Sequence, residues 1–411
     1  MADINEQVRG AAAHDGPEDT GQGETGGADR GPEDAARLRR LAAWRGSARA
    51  LWRAPMDRTL GEQLAELAAL AAAEEPAADL GAPVDIYGDG IVAALERRVA
   101  EVLGTEAAAY FPTGTMAQQI ALRCWAGRTG SPTVALHPLA HPEVHERGAL
   151  TTVSGLRTVH PTNEPRLPTA EEIRGFDEPF GTLMLELPLR DAGFVLPTWE
   201  ELEAVVAAAR ERDAVVHFDG ARLWECTSRF GRELPEITAL ADSVYVSFYK
   251  TLGGISGAAL AGSASFVEEA RAWRHRYGGQ IFQQFPAALS ALGGLDRELP
   301  ALPSYVAHAR TVAGALAEGF AEAGTGWFRV HPEEPHTHQF QVWLPYGADA
   351  LTEASVRLAE ETDVTLFRRW FAADGPPGVS FTEVTVAREA LEWTAADVKA
   401  ALAAFLERVN P

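Results

Sequence analysis

Apolar residues recur at helical spacing in some stretches and cluster in short blocks in others, and the two kinds alternate through the middle of the chain. Leu60, Leu64, Leu67 and Leu70 mark an amphipathic helix over 59–73. Val92, Leu95, Val99 and Val102 mark a second over 91–103, stopped by Gly104. Strand-like blocks follow at 107–111, 133–136, 182–187 and 214–219, around Val244 and Val246, and at 257–261. Between them, Thr169-Ala-Glu-Glu172 and Thr198-Trp-Glu-Glu201 fit the capping box that opens a helix, the second leading a helix over 198–212. Strands alternating with helices predict an α/β fold with a mostly parallel sheet flanked by helices. Past about Pro303 the pattern changes to a helix at 305–323, strands at 339–344, 364–367 and 379–386, a helix near 352–361 and a last helix at 394–407. That is a smaller α+β domain. The resulting division is a disordered tail at 1–33, a helical segment at 34–84, a large domain at 85–302 and a small C-terminal domain at 303–411. The tail is Gly-, Asp- and Glu-rich with little apolar periodicity. A helix at 35–52, mixing Arg, Ala, Leu and Trp, is expected to pack on the domain or on a partner subunit.

Composition narrows the function. The formal charge of -22 over 411 residues argues against nucleic acid or an anionic membrane as partner, since both select a basic face. Cys124 and Cys226 make no disulfide framework and sit in no CxxC motif, which points to a reducing compartment. No signal-like start and no bilayer-length apolar run is found, so a cytoplasmic location is expected.

The chemistry gathers at strand ends. The Val244 strand delivers Lys250 and then breaks at Gly253 and Gly254. Desolvation disfavours an ammonium there and makes the amine a nucleophile for a carbonyl. The 214–219 strand ends in Asp219 and is followed by Arg222. A strand-end Lys and a strand-end Asp in one parallel sheet face a common crevice. Pyridoxal 5'-phosphate requires that pair: the Lys for covalent attachment, the carboxylate to hold the ring nitrogen protonated. Thr113-Gly114-Thr115, opening a helix, offers N–H groups, hydroxyls and a positive dipole end to the cofactor phosphate. His141 is read as stacking on the cofactor ring. A zinc site using His141 and His145 ranks lower, because Pro142 follows His141 and no HExxH pattern is present; no metal is expected. Arg271, Arg274, His275 and Arg276 end a helix, either as a solvated basic end or as phosphate contacts across a dimer interface.

From about Tyr87 onward the chain resembles the threonine aldolase and β-eliminating lyase group of fold-type-I pyridoxal-phosphate enzymes. The likeness is carried by Tyr87-Gly-Asp89, Thr113-Gly-Thr-Met-Ala117, Ala140-His141, His217-Phe-Asp-Gly-Ala-Arg222 and Lys250-Thr-Leu-Gly-Gly254. It implies phosphate binding at Gly114 and Thr115, ring stacking and proton transfer by His141, and covalent attachment at Lys250. It further implies that Asp219 pairs with the ring nitrogen and that Arg222 contacts the cofactor phenolate or the substrate carboxylate. A homodimer or homotetramer follows, since such enzymes build the site between subunits.

The substrate side departs from the group. Its Glu-Asn-Thr-His-Asn is replaced by Glu186-Leu-Pro-Leu-Arg-Asp191, which puts Leu189 where a His handles the substrate hydroxyl. The Arg for the substrate carboxylate falls at Ser380, and two phosphate-contacting cations of the neighbouring subunit fall at His275 and Phe282. The group's amino-terminal Ser/Thr-Asp segment has no match before Tyr87. Tyr87, Glu186, Arg190 and Ser380 are the substrate-side candidates, and Arg190, Arg274, Arg276, Arg368 or Arg369 would supply the missing cation. The expected activity is a lyase on an amino acid, by Cα–Cβ cleavage of a β-hydroxy-α-amino acid to glycine and aldehyde or by β-elimination. An aminotransferase, a decarboxylase and a non-catalytic homologue are the alternatives.

Overall fold

The computed structural model describes residues 32–73, 78–375 and 377–409. The expected tail therefore lies outside the described residues, apart from the start of a helix at Pro32–Gly46. Among the described residues the central sheet has seven strands: β1 (Ala107–Phe111), β2 (Thr133–Ala135), β3 (Arg157–Val159), β4 (Thr182–Glu186), β5 (Val215–Gly220), β6 (Ser243–Ser247) and β7 (Ala258–Gly262). Their spatial order is β1-β7-β6-β5-β4-β2-β3. Pairings from β6 through β3 are parallel, and β7 runs antiparallel to both β1 and β6. The reversal of β7 has a length reason. The link 248–257 is shorter than the roughly dozen residues a parallel crossover needs.

β4 and β6 are buried at every position, and their middles, 183–185 and 244–246, are apolar without alternation. The helix Gly90–Leu103 lays Val92, Leu95, Val99 and Leu103 into the same core as Leu183, Leu185, Val216, Phe218, Val244 and Val246. Each such side chain contributes about 1.5–3 kcal/mol through the area it removes from water. Gly104 ends that helix in the left-handed conformation at φ 66°. Leu103 takes the buried place expected for Val102, which is half-buried. Thr59, Thr169 and Thr198 each cap a helix reciprocally with the Glu three residues on.

A second, antiparallel sheet follows, made of β8 (Arg329–His331), β9 (Gln339–Leu344), β10 (Phe371–Ala372) and β11 (Ser380–Thr385) in the order β10-β11-β9-β8. Its core joins Val312, Leu316 and Phe320 of the helix Leu302–Glu322 to Phe340, Val342 and Phe405. The strand expected at 364–367 is only Val364–Thr365, and it pairs with Arg49–Ala50 instead of joining this sheet. The helix expected over 35–52 therefore ends at Gly46, where the chain turns extended to make that pairing. Its basic face meets an acidic one: Arg39 donates to Glu353 and Glu360 of the helix Ala348–Thr362 at 2.8 and 2.7 Å.

Candidate active site

With one strand direction shared across the parallel set, the segments leaving β1, β2, β4, β5 and β6 emerge at a single edge of the sheet. Asp219 sits next to last in β5, in register with Glu186 on one side and Tyr245 on the other. Its Oδ1 accepts from the Ala221 N–H at 3.1 Å, and its Oδ2 is buried without a hydrogen-bond partner. Burial pushes the Asp219 carboxyl up, against Lys250, the Ala221 N–H, Arg222 and the Gln118 side chain. Lys250 lies three residues past the end of β6. Desolvation, with Arg222 next, lowers its amine to about 8, while Asp219 pulls the other way. The residue as a whole is half-buried.

Around this pair stand further ionisable groups. Glu186 is held up at about 8, first by burial and then by the charges of Asp219 and Asp191. Its oxygens accept from the backbone N–H groups of His141 at 2.7 Å and Arg190 at 3.2 Å. The His141 imidazole is driven far below its ordinary range by burial and by Lys250, so the ring is neutral. Its Nε2 lies 3.9 Å from Glu146 Oε1. Glu146 is buried with neither oxygen hydrogen-bonded, and burial raises it to about 7 while the Thr115 hydroxyl opposes. His145 Nε2 lies 2.7 Å from Asp191 Oδ2, and the two His rings are 5.0 Å apart. Burial would raise Asp191, but the His145 contact and the Arg190 charge outweigh it and hold it low.

Thr113 caps the helix Gly114–Thr129, its hydroxyl accepting from the Met116 N–H at 3.3 Å. Thr113 and Thr115 are exposed at this helix start, which suits an anion arriving from solvent. A Cβ at Gly114 would overlap the Tyr245 hydroxyl, so only glycine lets the turn approach β6 this closely. Arg222 places its guanidinium 5.3 Å over the Phe194 ring and keeps a buried Nε without a partner.

The structure thus gathers Lys250, Asp219, Arg222, His141, Glu186 and Arg190 through mutual electrostatic influence, with Thr115 joined through Glu146. Tyr87 is half-exposed and packs edge-on against Phe282 at 5.4 Å. Ser380 is buried in β11 with its hydroxyl on the Tyr346 carbonyl at 2.8 Å. Glu383, three residues along that strand, is the one that reaches the site, pairing with Arg190 Nε at 2.9 Å. Of the other cations considered, Arg368 grips Asp57 with both nitrogens at 2.6 and 2.7 Å between Trp44 and Trp52. Arg274 is bound to Glu96 at 3.0 Å, Arg271 meets the same carboxylate at 2.7 Å, and Arg276 lies over Trp273. Arg274 is therefore a buried brace on the helix Gly90–Leu103, while Arg271, His275 and Arg276 stay exposed at the helix end. Arg369 lies over the Phe371 ring at 5.5 Å. Glu146 and Gln118 are residues that sequence reasoning missed. Neither stands at a strand end, and only the spacing of Glu146 five residues after His141 could have drawn notice.

Residues 68–360 match the model of the β-eliminating lyase family. The chain is 32% identical over 252 residues to a low specificity L-threonine aldolase of Escherichia coli, covering 59% of this chain and 75% of that one. It is 28% identical over 295 residues to low-specificity L-threonine aldolase 1 of Arabidopsis thaliana, covering 69% and 80%. Among solved structures, a candidate L-allo-threonine aldolase of Listeria monocytogenes superposes with a TM-score of 0.80 at 33% identity, over 90% of this chain and 99% of that one. A serine palmitoyltransferase of Sphingomonas wittichii, at 16% identity and a TM-score of 0.58 over 84% and 82% of the two chains, shares the fold. With a family match running through both the central sheet and the start of the second, and a site assembled at the sheet's carboxyl edge, the chain belongs to the β-eliminating lyases, on the fold-type-I scaffold of pyridoxal-phosphate enzymes.

Proposed function

We propose that this protein is a pyridoxal 5'-phosphate-dependent lyase that cleaves the Cα–Cβ bond of a β-hydroxy-α-amino acid to glycine and an aldehyde. The observation that carries the reading is the Lys250 amine, lowered to about 8, sharing a buried cluster with Asp219. The unpartnered groups suit this cofactor. Asp219 Oδ2 would accept from a protonated ring nitrogen, Arg222 Nε would donate to a phenolate or a carboxylate, and the Thr113–Thr115 turn would take the phosphate. When bound, pyridoxal phosphate supplies an electron sink for charge developing at Cα.

The protein's own groups handle binding and protons. Lys250 is a nucleophile toward a carbonyl and, at about 8, a proton carrier at Nζ near neutral pH. His141 stays neutral, so it presents an aromatic face and an accepting nitrogen in place of a positive charge. Glu146, at about 7 and 3.9 Å from His141 Nε2, is a buried carboxyl beside the neutral ring that can hold a proton near neutral pH. Leu189 is fully buried and bridges to Val195, so it takes no proton. His145, oriented by Asp191, is the group we assign to the substrate hydroxyl. Arg190 is already matched by Glu383, which leaves Arg222 as the cation for the substrate carboxylate.

Tyr87, Ile281, Phe282 and Phe285 are all exposed, and we assign this apolar face to a second copy in a homo-oligomer. No helix among the described residues is long and apolar enough to cross a membrane. Both cysteines are buried and free, in keeping with a cytoplasmic setting.

The test is product analysis of the holoenzyme with threonine, allo-threonine and phenylserine. Glycine and aldehyde in equal amounts are expected. Accumulation of a keto acid or release of carbon dioxide would replace the reading with transamination or decarboxylation.

A further inference from the structure

A line of buried polar side chains joins the helix Gly114–Thr129 to β5 and β6. Trp125 Nε1 lies 2.7 Å from Ser243 Oγ, Ser243 Oγ lies 2.7 Å from His217 Nδ1, and His217 Nε2 lies 2.8 Å from Gln118 Oε1. All four residues are more than nine-tenths buried. Gln118 Nε2 then has no other hydrogen-bond partner among the described residues, and neither does Asp219 Oδ2. Gln118 is also among the groups that favour the ionised Asp219.

We propose that Gln118 and His217 are positioning residues which, read in one direction from Trp125, aim an amide N–H at Asp219 so that its carboxylate is held for the ring nitrogen of the cofactor. This rests on the cofactor assignment made above.

The direction follows from what each group can do. An indole N–H donates only, so Ser243 Oγ accepts from Trp125; Gln118 Oε1 accepts only, so His217 Nε2 must donate to it. His217 Nδ1 then accepts the Ser243 hydroxyl proton. Burial lowers the His217 ring to about 3, leaving it one proton, which therefore sits on Nε2. That N–H donates to Gln118 Oε1, and the Gln118 amide nitrogen is turned the other way, toward Asp219. Reversing the Gln118 amide would set two donors against each other. Gln118 and Trp125 are seven residues apart on one helix, so they share a face. That helix begins at the proposed phosphate turn, and one rigid element would thus align the two ends of the cofactor.

A purely structural role predicts a different pattern of loss, and two measurements separate them. The first is the affinity of apoenzyme for pyridoxal phosphate and for its 1-deaza analogue, in which carbon replaces the ring nitrogen. Gln118→Met keeps length and removes the amide. It should weaken pyridoxal phosphate by about tenfold, the worth of a charge-assisted hydrogen bond, and leave the analogue within about twofold. Equal losses for both compounds, or none for either, would overturn the proposal. The second is the nitrogen NMR signature of His217 in the wild type. A neutral ring protonated on Nε2 is expected across the stable pH range, and a ring protonated on Nδ1 or on both nitrogens would overturn the direction. Should Gln118→Met fail to fold, Ser243→Ala serves in its place. It should mix the His217 tautomers and weaken only the natural cofactor, and an unchanged tautomer with unchanged affinity would count against the chain. If the wild type binds neither compound, the cofactor assignment fails and this role for Gln118 fails with it, while the His217 tautomer still reports the hydrogen-bond direction.

Discussion

Glu186 and Asp219 face each other in register across β4 and β5; burial raises both carboxyls, and the Asp219 charge raises Glu186 further. Glu186 reaches about 8 and Glu146 about 7, both from an ordinary 4.5. Folding therefore takes up protons between 4.5 and these values. The stability so contributed is full below 4.5 and is lost as pH rises through 7 and then 8. Apoprotein melting temperature should fall by several degrees from pH 6 to about 9, and Glu186→Gln should flatten part of that slope. A flat or rising melting profile would contradict the assignment.

Gly114 lies so close to Tyr245 that any Cβ must displace the ring or the turn. Gly114→Ala should cost about 1–3 kcal/mol by overpacking and weaken cofactor binding more than tenfold, because the phosphate turn moves with it. Gly114→Ala combined with Tyr245→Phe should recover part of both, as read by thermal melts and cofactor titration.

His338 of the strand-edge loop before β9 meets Glu225, beyond β5, at 2.7 Å, with both side chains nearly inaccessible. Burial would lower His338, but the Glu225 charge and the Val386 carbonyl outweigh it and raise it. Its stabilising share is full below the ordinary 6.5 and disappears as pH climbs through the raised value. His338→Leu leaves Glu225 unpaired and should cost about 3 kcal/mol, whereas the double variant with Glu225→Leu should restore most of it. Thr251, next to Lys250, lies 3.5 Å from Glu225, so the single variant should also slow turnover. Chemical denaturation and steady-state rates check the two parts.

Asp219 is the principal group raising the Lys250 amine. Asp219→Asn should therefore shift the pH dependence of cofactor attachment to lower pH. It should also reduce kcat by about a thousandfold, since a neutral amide cannot hold the ring nitrogen charged. Unchanged kcat would mean that the carboxylate does not face the ring.

The strand ends and helix caps were legible in the residues because each has a local cause. Lys250 and Asp219 close apolar blocks, and Thr169 and Thr198 announce their helices through the Glu three positions on. The direction of β7 was not legible, since it depends on the length of the link and not on the strand itself. The parts of the site that come from far away in sequence were equally hidden. Glu383 reaches Arg190 across 193 residues, and Arg274 of the basic helix end turns inward to Glu96 and the Tyr110 carbonyl. Gln118 carries no local signal, because its significance lies in a hydrogen-bond direction set by Trp125 and Ser243.

Only two lysines occur in the chain, and Lys399 is tied to Glu318 and Glu322 at 2.7 and 2.8 Å on the surface. Borohydride reduction of the holoenzyme followed by peptide mass analysis therefore gives a clean answer. Attachment of one pyridoxyl phosphate per chain at Lys250, lost in Lys250→Ala together with the visible absorbance, is the predicted result. No adduct, or an adduct at Lys399, would contradict the account.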